Sequence, residues 1–169
     1  MSTINGLPAH ILLVHLVVVF VPLTALALIV CALSPAAARR AGLALPLLAF
    51  VTLASVPLTT EAGEWLERHV ERTDVVRRHT ELGDGLLPWA AGLFVLAVVV
   101  WWATRRAAGG RPFSSALRIG AAVLCAAVAV GAVVDVYLIG DSGAKAAWQD
   151  ALTSSSGSTD STSEGGEGH

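Results

Sequence analysis

Charged side chains are scarce in this sequence. Asp, Glu, Lys and Arg make up 14% of its 169 residues, while hydrophobic residues make up 54%. A soluble domain carries about 25% charged residues, so this deficit of charge indicates a protein whose solvent is lipid. The net charge is −2. Because there is no basic excess to hold a phosphate backbone, nucleic acid is not expected as a partner.

Cysteine is almost absent as well. Cys31 and Cys125 each lie inside a long apolar run, and the chain has no Cys-x-x-Cys-His motif and no iron–sulfur pattern. Isolated cysteines in such runs behave as small buried hydrophobic residues. Neither residue indicates a metal site, and neither tells which redox compartment the protein occupies.

Four long apolar stretches are present instead, at residues 11–33, 42–59, 86–103 and 119–139, and none contains Lys, Arg or Glu. About 20 residues of helix cross a hydrocarbon core, and lipid allows no other open-ended backbone structure. We therefore predict an all-α integral membrane protein, an up-down bundle of four transmembrane helices. The predicted spans are about 10–33, 42–60, 85–104 and 117–139. The first span is expected to be retained rather than cleaved, because no basic residue precedes it.

Two segments lie outside these spans. The link 60–85 mixes glutamates with Arg68 and Arg72 around Trp65, which predicts a short amphipathic helix at the membrane surface; a solvated, ion-paired hairpin is the alternative. Asp74 is a candidate N-cap for a second piece leading into the third span. Residues 150–169 are rich in Ser, Gly and acid, so we expect a membrane domain at 1–149 followed by a disordered tail.

Arginines predict the orientation. The first and third links between spans are short and together carry six of the eleven basic residues, at Arg39, Arg40, Arg105, Arg106, Arg111 and Arg118. Because basic links stay in the cytoplasm, we predict a multi-pass protein of the cell membrane with both termini outside.

Unusual polar residues gather at the opposite ends of the spans. His15 and Asp135 each lie four residues inside a span, about 6 Å below the boundary. Ionisable groups at that depth are costly and usually find a partner, which predicts a contact between them, either structural or functional. The other members of this group are His10, Glu61, His69, His79 and Asp141.

Small and hydroxylated residues line two of the helices. Ala127, Gly131 and Asp135 recur at four-residue intervals and predict close helix packing, with room for a flat cofactor as the alternative. Thr52 and Ser55 share a face with Thr59. Their hydroxyls are expected to bond to the carbonyls of their own helix.

The histidines suggest a cofactor site. His10 and His15 are five residues apart, about 140° around a helix, so both cannot bind one metal ion from a regular helix. His79 would have to supply the second ligand. Gly83, one turn later, would leave room for a ring. The first choice for metal or haem ligands is therefore His15 with His79, and His10 is the substitute; haem b is the candidate cofactor.

Several motifs together resemble the bacterial membrane family labelled domain of unknown function 2231, in its short actinobacterial form. These are Asn5-Gly6-Leu7-Pro8-Ala9-His10, Pro57-Leu58-Thr59-Thr60-Glu61, His79-Thr80-Glu81-Leu82-Gly83-Asp84 and Ile139-Gly140-Asp141-Ser142-Gly143. The resemblance implies a four-helical protein. Some relatives are fused to Rieske-type or cytochrome-like modules, which implies a redox role beside a separate partner chain.

Three functions are compatible with these features. The first is a haem- or metal-binding redox accessory with a histidine cluster in the outer leaflet, working with a membrane redox protein. The second is a non-catalytic membrane anchor or assembly subunit. The third, a small transporter or proton conduit using His15 and Asp135, is the weakest, because the inner halves of the spans carry no titratable group except the two cysteines. An enzyme acting as an isolated chain is not expected.

Overall fold

The computed structural model describes residues 3–4, 7–67 and 74–157, and the side chains of residues 13–63, 81–145 and 148. The chain is helical after a two-residue antiparallel ladder in which Thr3 pairs with Pro8 and Ile4 with Leu7. The elements are β1 (Thr3–Ile4), β2 (Leu7–Pro8), α1 (Ala9–Leu33), α2 (Pro35–Ala41), α3 (Ala44–Glu67), α4 (Asp74–Ala108) and α5 (Ser115–Gly157). The all-α prediction is confirmed.

Four of these helices are long and apolar enough to cross a membrane. Their candidate spans are Leu13–Leu33, Ala44–Gly63, Glu81–Ala108 and Ser115–Lys145. The protein is thus a membrane protein, as its composition predicts. α1, α3, α4 and α5 form an up-down bundle in which each packs on two neighbours, and α1 also meets α4 across the diagonal.

The short helix α2 turns the chain between the first two spans. Ser34 caps it by accepting a hydrogen bond from the Ala37 amide at 3.3 Å, with Pro35 in the first turn. Gly42 ends it at φ 51°, a left-handed conformation that favours glycine. Arg39 and Arg40 occupy its last turn, where the helix dipole favours cations.

Small side chains allow the helices to approach closely. Ala49 on α3, Ala97 on α4 and Ala132 on α5 are fully buried, and so is Cys125. Cys31 is also buried, and both thiols are free, as predicted. Packing of small residues is the usual source of helix association in lipid, where the hydrophobic effect between helices is absent.

The segment between the second and third spans is built from helix extensions. α3 continues to Glu67 and α4 starts at Asp74, so most of the link 60–85 prolongs the two spans. His69, Arg68 and Arg72 lie outside the described residues. α5 likewise reaches Gly157, into the segment 150–169; residues 158–169 lie outside the described residues.

Charge is distributed unequally between the two ends of the bundle. Residues 1–60 and 85–134 contain no Asp or Glu, so every acid lies in 61–84 or after residue 134. We call the end without acids the basic end; it carries Arg39, Arg40, Arg105, Arg106, Arg111 and Arg118. The opposite end, where α1 begins, α3 ends, α4 begins and α5 leaves the membrane, is called the polar end.

Candidate ligand site at the polar end

Helix register places residues from all four spans at one level. The hydroxyls of Thr24 on α1 and Thr52 on α3 are 2.7 Å apart and buried. His15 lies nine residues before Thr24, and Glu61 nine residues after Thr52. Because α1 and α3 run antiparallel, both residues lie about 14 Å from this hydrogen bond, on the same side of it.

Residues of α4 and α5 lie at the same depth along the bundle. The rings of Phe50 on α3 and Phe94 on α4 are 6.0 Å apart. Gly83 precedes Phe94 by the eleven residues that separate Phe50 from Glu61, so Glu61 and the glycines of α4 share a level. A Cβ on Gly85 would lie 4.0 Å from Asp135 Oδ2 on α5. We call His15, Glu61, Gly85 and Asp135 the polar layer.

Asp135 is the unusual member of this layer. Its Oδ2 atom is shielded from solvent and accepts no hydrogen bond within the described part of the chain. The predicted contact with His15 stays a prediction: His15 is exposed, and Oδ2 is the carboxyl oxygen of Asp135 that is enclosed. A buried carboxyl oxygen without a donor is costly in a low-dielectric interior.

Glycine and tryptophan shape the surroundings of Asp135. The six-membered ring of Trp89 on α4 lies against Gly131, where a Cβ on Gly131 would overlap it. Gly131 precedes Asp135 by one turn. The stripe formed by Ala127, Gly131 and Asp135 therefore makes room for an aromatic side chain of the protein itself. Close packing, the first of the two predicted reasons for the stripe, is confirmed at Gly131.

Hydroxyl groups lead from the polar layer into the bundle along α3. Thr59 donates to the Ser55 carbonyl at 2.7 Å, and Ser55 to the Thr52 carbonyl at 2.7 Å. Thr52 donates to the Leu48 carbonyl at 2.9 Å. The predicted bonding of these hydroxyls to their own helix is confirmed. The hydrogen bond between Thr52 and Thr24 was not predicted. Its only sign in the sequence is a lone threonine in the aliphatic run of α1.

Prolines add acceptors near the layer. Pro57 lies inside α3 and Pro88 inside α4, each within one turn of the polar layer. A proline has no amide hydrogen, so the carbonyl four residues before it loses its helical donor. The carbonyl of Asp84 is therefore an additional acceptor at the layer, whereas that of Leu53 lies about 12 Å deeper. A ligand that donates hydrogen bonds or carries positive charge would suit the layer.

The remaining predicted site residues fall in different places. His10 belongs to α1 and His79 to α4, but their side chains, like the whole of His69, lie outside the described set. Asp141 is exposed on α5 and pairs with Lys145 at 2.6 Å, so it is not turned towards the layer. Among the described side chains, no three His, Cys, Asp or Glu residues lie close enough together to hold a metal ion.

A second buried polar atom has no hydrogen-bond partner among the side chains that are described. It is the indole nitrogen of Trp101, in the half of α4 nearer the basic end. The Arg105 guanidinium lies 5.1 Å from the centre of the Trp101 ring. The sequence did not indicate this enclosed nitrogen, because hydropathy does not show which atoms packing will bury.

Four spanning helices and a polar layer at one end define a polytopic membrane protein. A family model described as "Predicted membrane protein (DUF2231)" matches residues 6–156. The chain therefore belongs to this membrane family of unknown function, which confirms the family resemblance of its motifs. No curated protein and no solved structure matches the chain.

Proposed function

We propose that the protein is an accessory subunit of a membrane redox system and binds a transition-metal ion or haem at its polar end. The observation that carries the proposal is Asp135 Oδ2, a buried carboxyl oxygen with no hydrogen-bond donor in the described residues. Three of the five histidines, His10, His15 and His79, belong to helix segments at the same end.

A metal ion would remove the energetic problem of Asp135. A charged side chain within a bilayer costs about 2.5–3.5 kcal/mol or more unless it is compensated. Carboxylate and imidazole together suit zinc, iron, copper and nickel. Asp135 would supply one oxygen ligand, and His79 lies six residues, or about 9 Å, before Gly85 on α4, the helix that faces Asp135.

Haem fits the level of the polar layer poorly. Val17 on α1, Leu86 on α4 and Ala132 on α5 are buried just beneath it, and α1 contacts α4 across the bundle. A porphyrin would have to separate these helices. Haem b is therefore proposed only for the level above the layer, where His10 and His79 would hold it and its iron would supply electron transfer.

A non-catalytic assembly or anchor function is the second candidate. It is favoured by the fit of Trp89 on Gly131 and by the buried Thr24–Thr52 hydrogen bond, which give the layer a role in packing. A proton conduit is less well supported, because Leu28, Leu93 and Cys125 close the middle of the bundle.

The test is elemental analysis and an absorbance spectrum of the purified protein, expressed with haem precursor and trace metals supplied. We expect one metal ion per chain, or a Soret band. Asp135→Asn keeps the shape of the side chain and should abolish the bound ion, and His79→Ala should abolish ion or haem.

Asp141→Asn is the matched control, because it removes a carboxylate of the same helix that is exposed and already paired with Lys145. It should leave the content of metal or haem unchanged. Protein that is colourless and metal-free would refute the redox function and leave the assembly function in its place.

A further inference from the structure

An apolar groove opens on the membrane-facing side of the bundle, in the half nearer the basic end. It has a volume of about 250 Å³ between α3 and α4. Leu47 and Phe50 form one wall, and Phe94, Val98 and Trp101 form the other. Leu47 and Phe50 are more than half exposed in the protein alone, so the groove is open to whatever lies beside the helices.

Arg105 stands at the mouth of this groove, and further arginines belong to the same end of the bundle. The Arg105 guanidinium lies over the Trp101 ring that forms one wall, at 5.1 Å from its centre. Arg106 lies over Trp102 and Phe113, at 5.7 and 5.0 Å. Arg39 and Arg40 end α2, which packs beside α4 and leads directly into α3.

No carboxylate among the described side chains is paired with these arginines. All acids lie in residues 61–84 or after residue 134, so no carboxylate belongs to the helix ends and links around the groove. A ligand at the groove mouth would therefore bind better if it carried negative charge. The stacking of Arg105 on the Trp101 ring already holds one guanidinium in position to bind it.

The dimensions of the groove identify the kind of occupant. Phe94 and Arg105 are eleven residues apart on α4, or about 16 Å. One leaflet of the hydrocarbon core is about 15 Å deep, half of the ~30 Å total. An acyl chain lying along Phe94 and Val98 would thus bring its headgroup to the level of Arg105.

From this match of length, apolarity and charge, we infer that the groove between α3 and α4 binds one anionic phospholipid. Its acyl chain lies between Phe50 and Phe94, and its phosphate is held by Arg105 and Arg106. Basic sites at the ends of membrane helices bind acidic headgroups in this way. The inference is independent of the proposed ligand site, which lies at the opposite end of the bundle.

The test is native mass spectrometry of the full-length protein in detergent with equal amounts of phosphatidylglycerol and phosphatidylcholine. Wild type should retain one phosphatidylglycerol in preference to phosphatidylcholine. A juxtamembrane arginine contributes about fivefold to binding an acidic lipid surface. The double variant Arg105→Gln, Arg106→Gln should therefore weaken phosphatidylglycerol binding by about 25-fold.

Two further variants locate the site. Arg118→Gln removes the same charge from the same end, but on α5, which does not border the groove; it should bind as wild type does. Leu47→Trp fills the groove, keeps every arginine and should lose the lipid. Should Leu47→Trp unfold in a thermal melt, Val98→Phe on the opposite wall replaces it. Equal retention of the two lipids, an equal loss in Arg118→Gln, or full binding in a groove-filled variant would overturn the inference.

Discussion

Gly131 on α5 makes room for the Trp89 ring of α4. A Cβ at this position would overlap three atoms of the Trp89 ring. We expect Gly131→Ala to destabilise the protein by about 1–3 kcal/mol, the usual cost of overpacking, and Gly131→Val to do more. The free energy of unfolding in detergent measures this effect.

Gly140→Ala is the control for this prediction. Gly140 is also on α5, and a Cβ there would meet nothing within 4 Å, so its substitution should leave the free energy of unfolding unchanged or slightly raise it. Replacing the opposing ring by a smaller side chain, in Trp89→Leu, should recover part of the stability that Gly131→Ala loses. If the two glycines respond alike, helix propensity rather than the Trp89 contact decides the effect.

Thr24 and Thr52 make a buried hydrogen bond between side chains of two different helices. Thr52 also donates towards its own helix, to the Leu48 carbonyl, so Thr24→Val leaves it with a partner. Such bonds in membrane bundles couple by about 0.6 kcal/mol. A double-mutant cycle with Thr24→Val and Thr52→Val should return a coupling of that size. A coupling indistinguishable from zero would mean that methyl packing, and not the hydrogen bond, holds α1 on α3.

At the scale of elements, α4 and α5 pack antiparallel in one continuous register. Gly85 faces Asp135, Trp89 faces Gly131, and a Cβ on Gly92 would lie 3.1 Å from Val128 Cγ1. Gly92→Cys with Val128→Cys should therefore form a disulfide, because the Cβ atoms of two bonded cysteines lie about 3.8 Å apart. Mobility on a non-reducing gel after cleavage of the link between the helices detects it.

The background for this experiment replaces Cys31 and Cys125, since Cys125 lies one turn from Val128. Gly92→Cys with Val130→Cys is the control pair: Val130 is 58% exposed, and it lies on a different face of α5 from Val128 and Gly131. It should not cross-link. Cross-linking of both pairs at equal rates would show that the two helices slide or rotate against each other.

Sequence reasoning located the four spans but not the ends of their helices. Hydropathy reports which residues can lie in lipid, but a helix can continue beyond that limit into water. α3 therefore runs on to Glu67, and α4 already begins at Asp74. The short α2 was missed as well, although Ser34 and Pro35 are an ordinary start signal for a helix.

The depth of the candidate site residues in the bundle could be predicted from the sequence, but the direction in which each side chain points could not. Up-down connection alone brings His15, Glu61 and Asp135 to one end of the bundle. Which way each points depends on how a helix that is apolar on all sides is rotated against its neighbours. That rotation is set by contacts such as Trp89 on Gly131, so the sequence could not show that His15 faces outward while Asp135 Oδ2 is enclosed.

For the whole molecule, the separation of charge predicts how the protein lies in the membrane. The basic end carries six arginines and no acid in its links, whereas all acids belong to the polar end and the segments beyond it. Basic residues in short links are retained in the cytoplasm. We therefore expect the basic end inside the cell, and the polar end with its candidate ligand site outside.

Single-cysteine labelling in intact cells tests this orientation. Both native thiols are buried, so an introduced cysteine reports alone. Gly109→Cys, in the exposed turn after α4, should react only with a membrane-permeant maleimide. Lys145→Cys, exposed at the polar end, should react with an impermeant one as well. Labelling of the untreated wild type sets the background, and lysed cells should label both variants. The reverse pattern would place the arginines outside, in conflict with the charge rule, while preserving the four spans; the candidate ligand site would then face the cytoplasm and any redox partner with it.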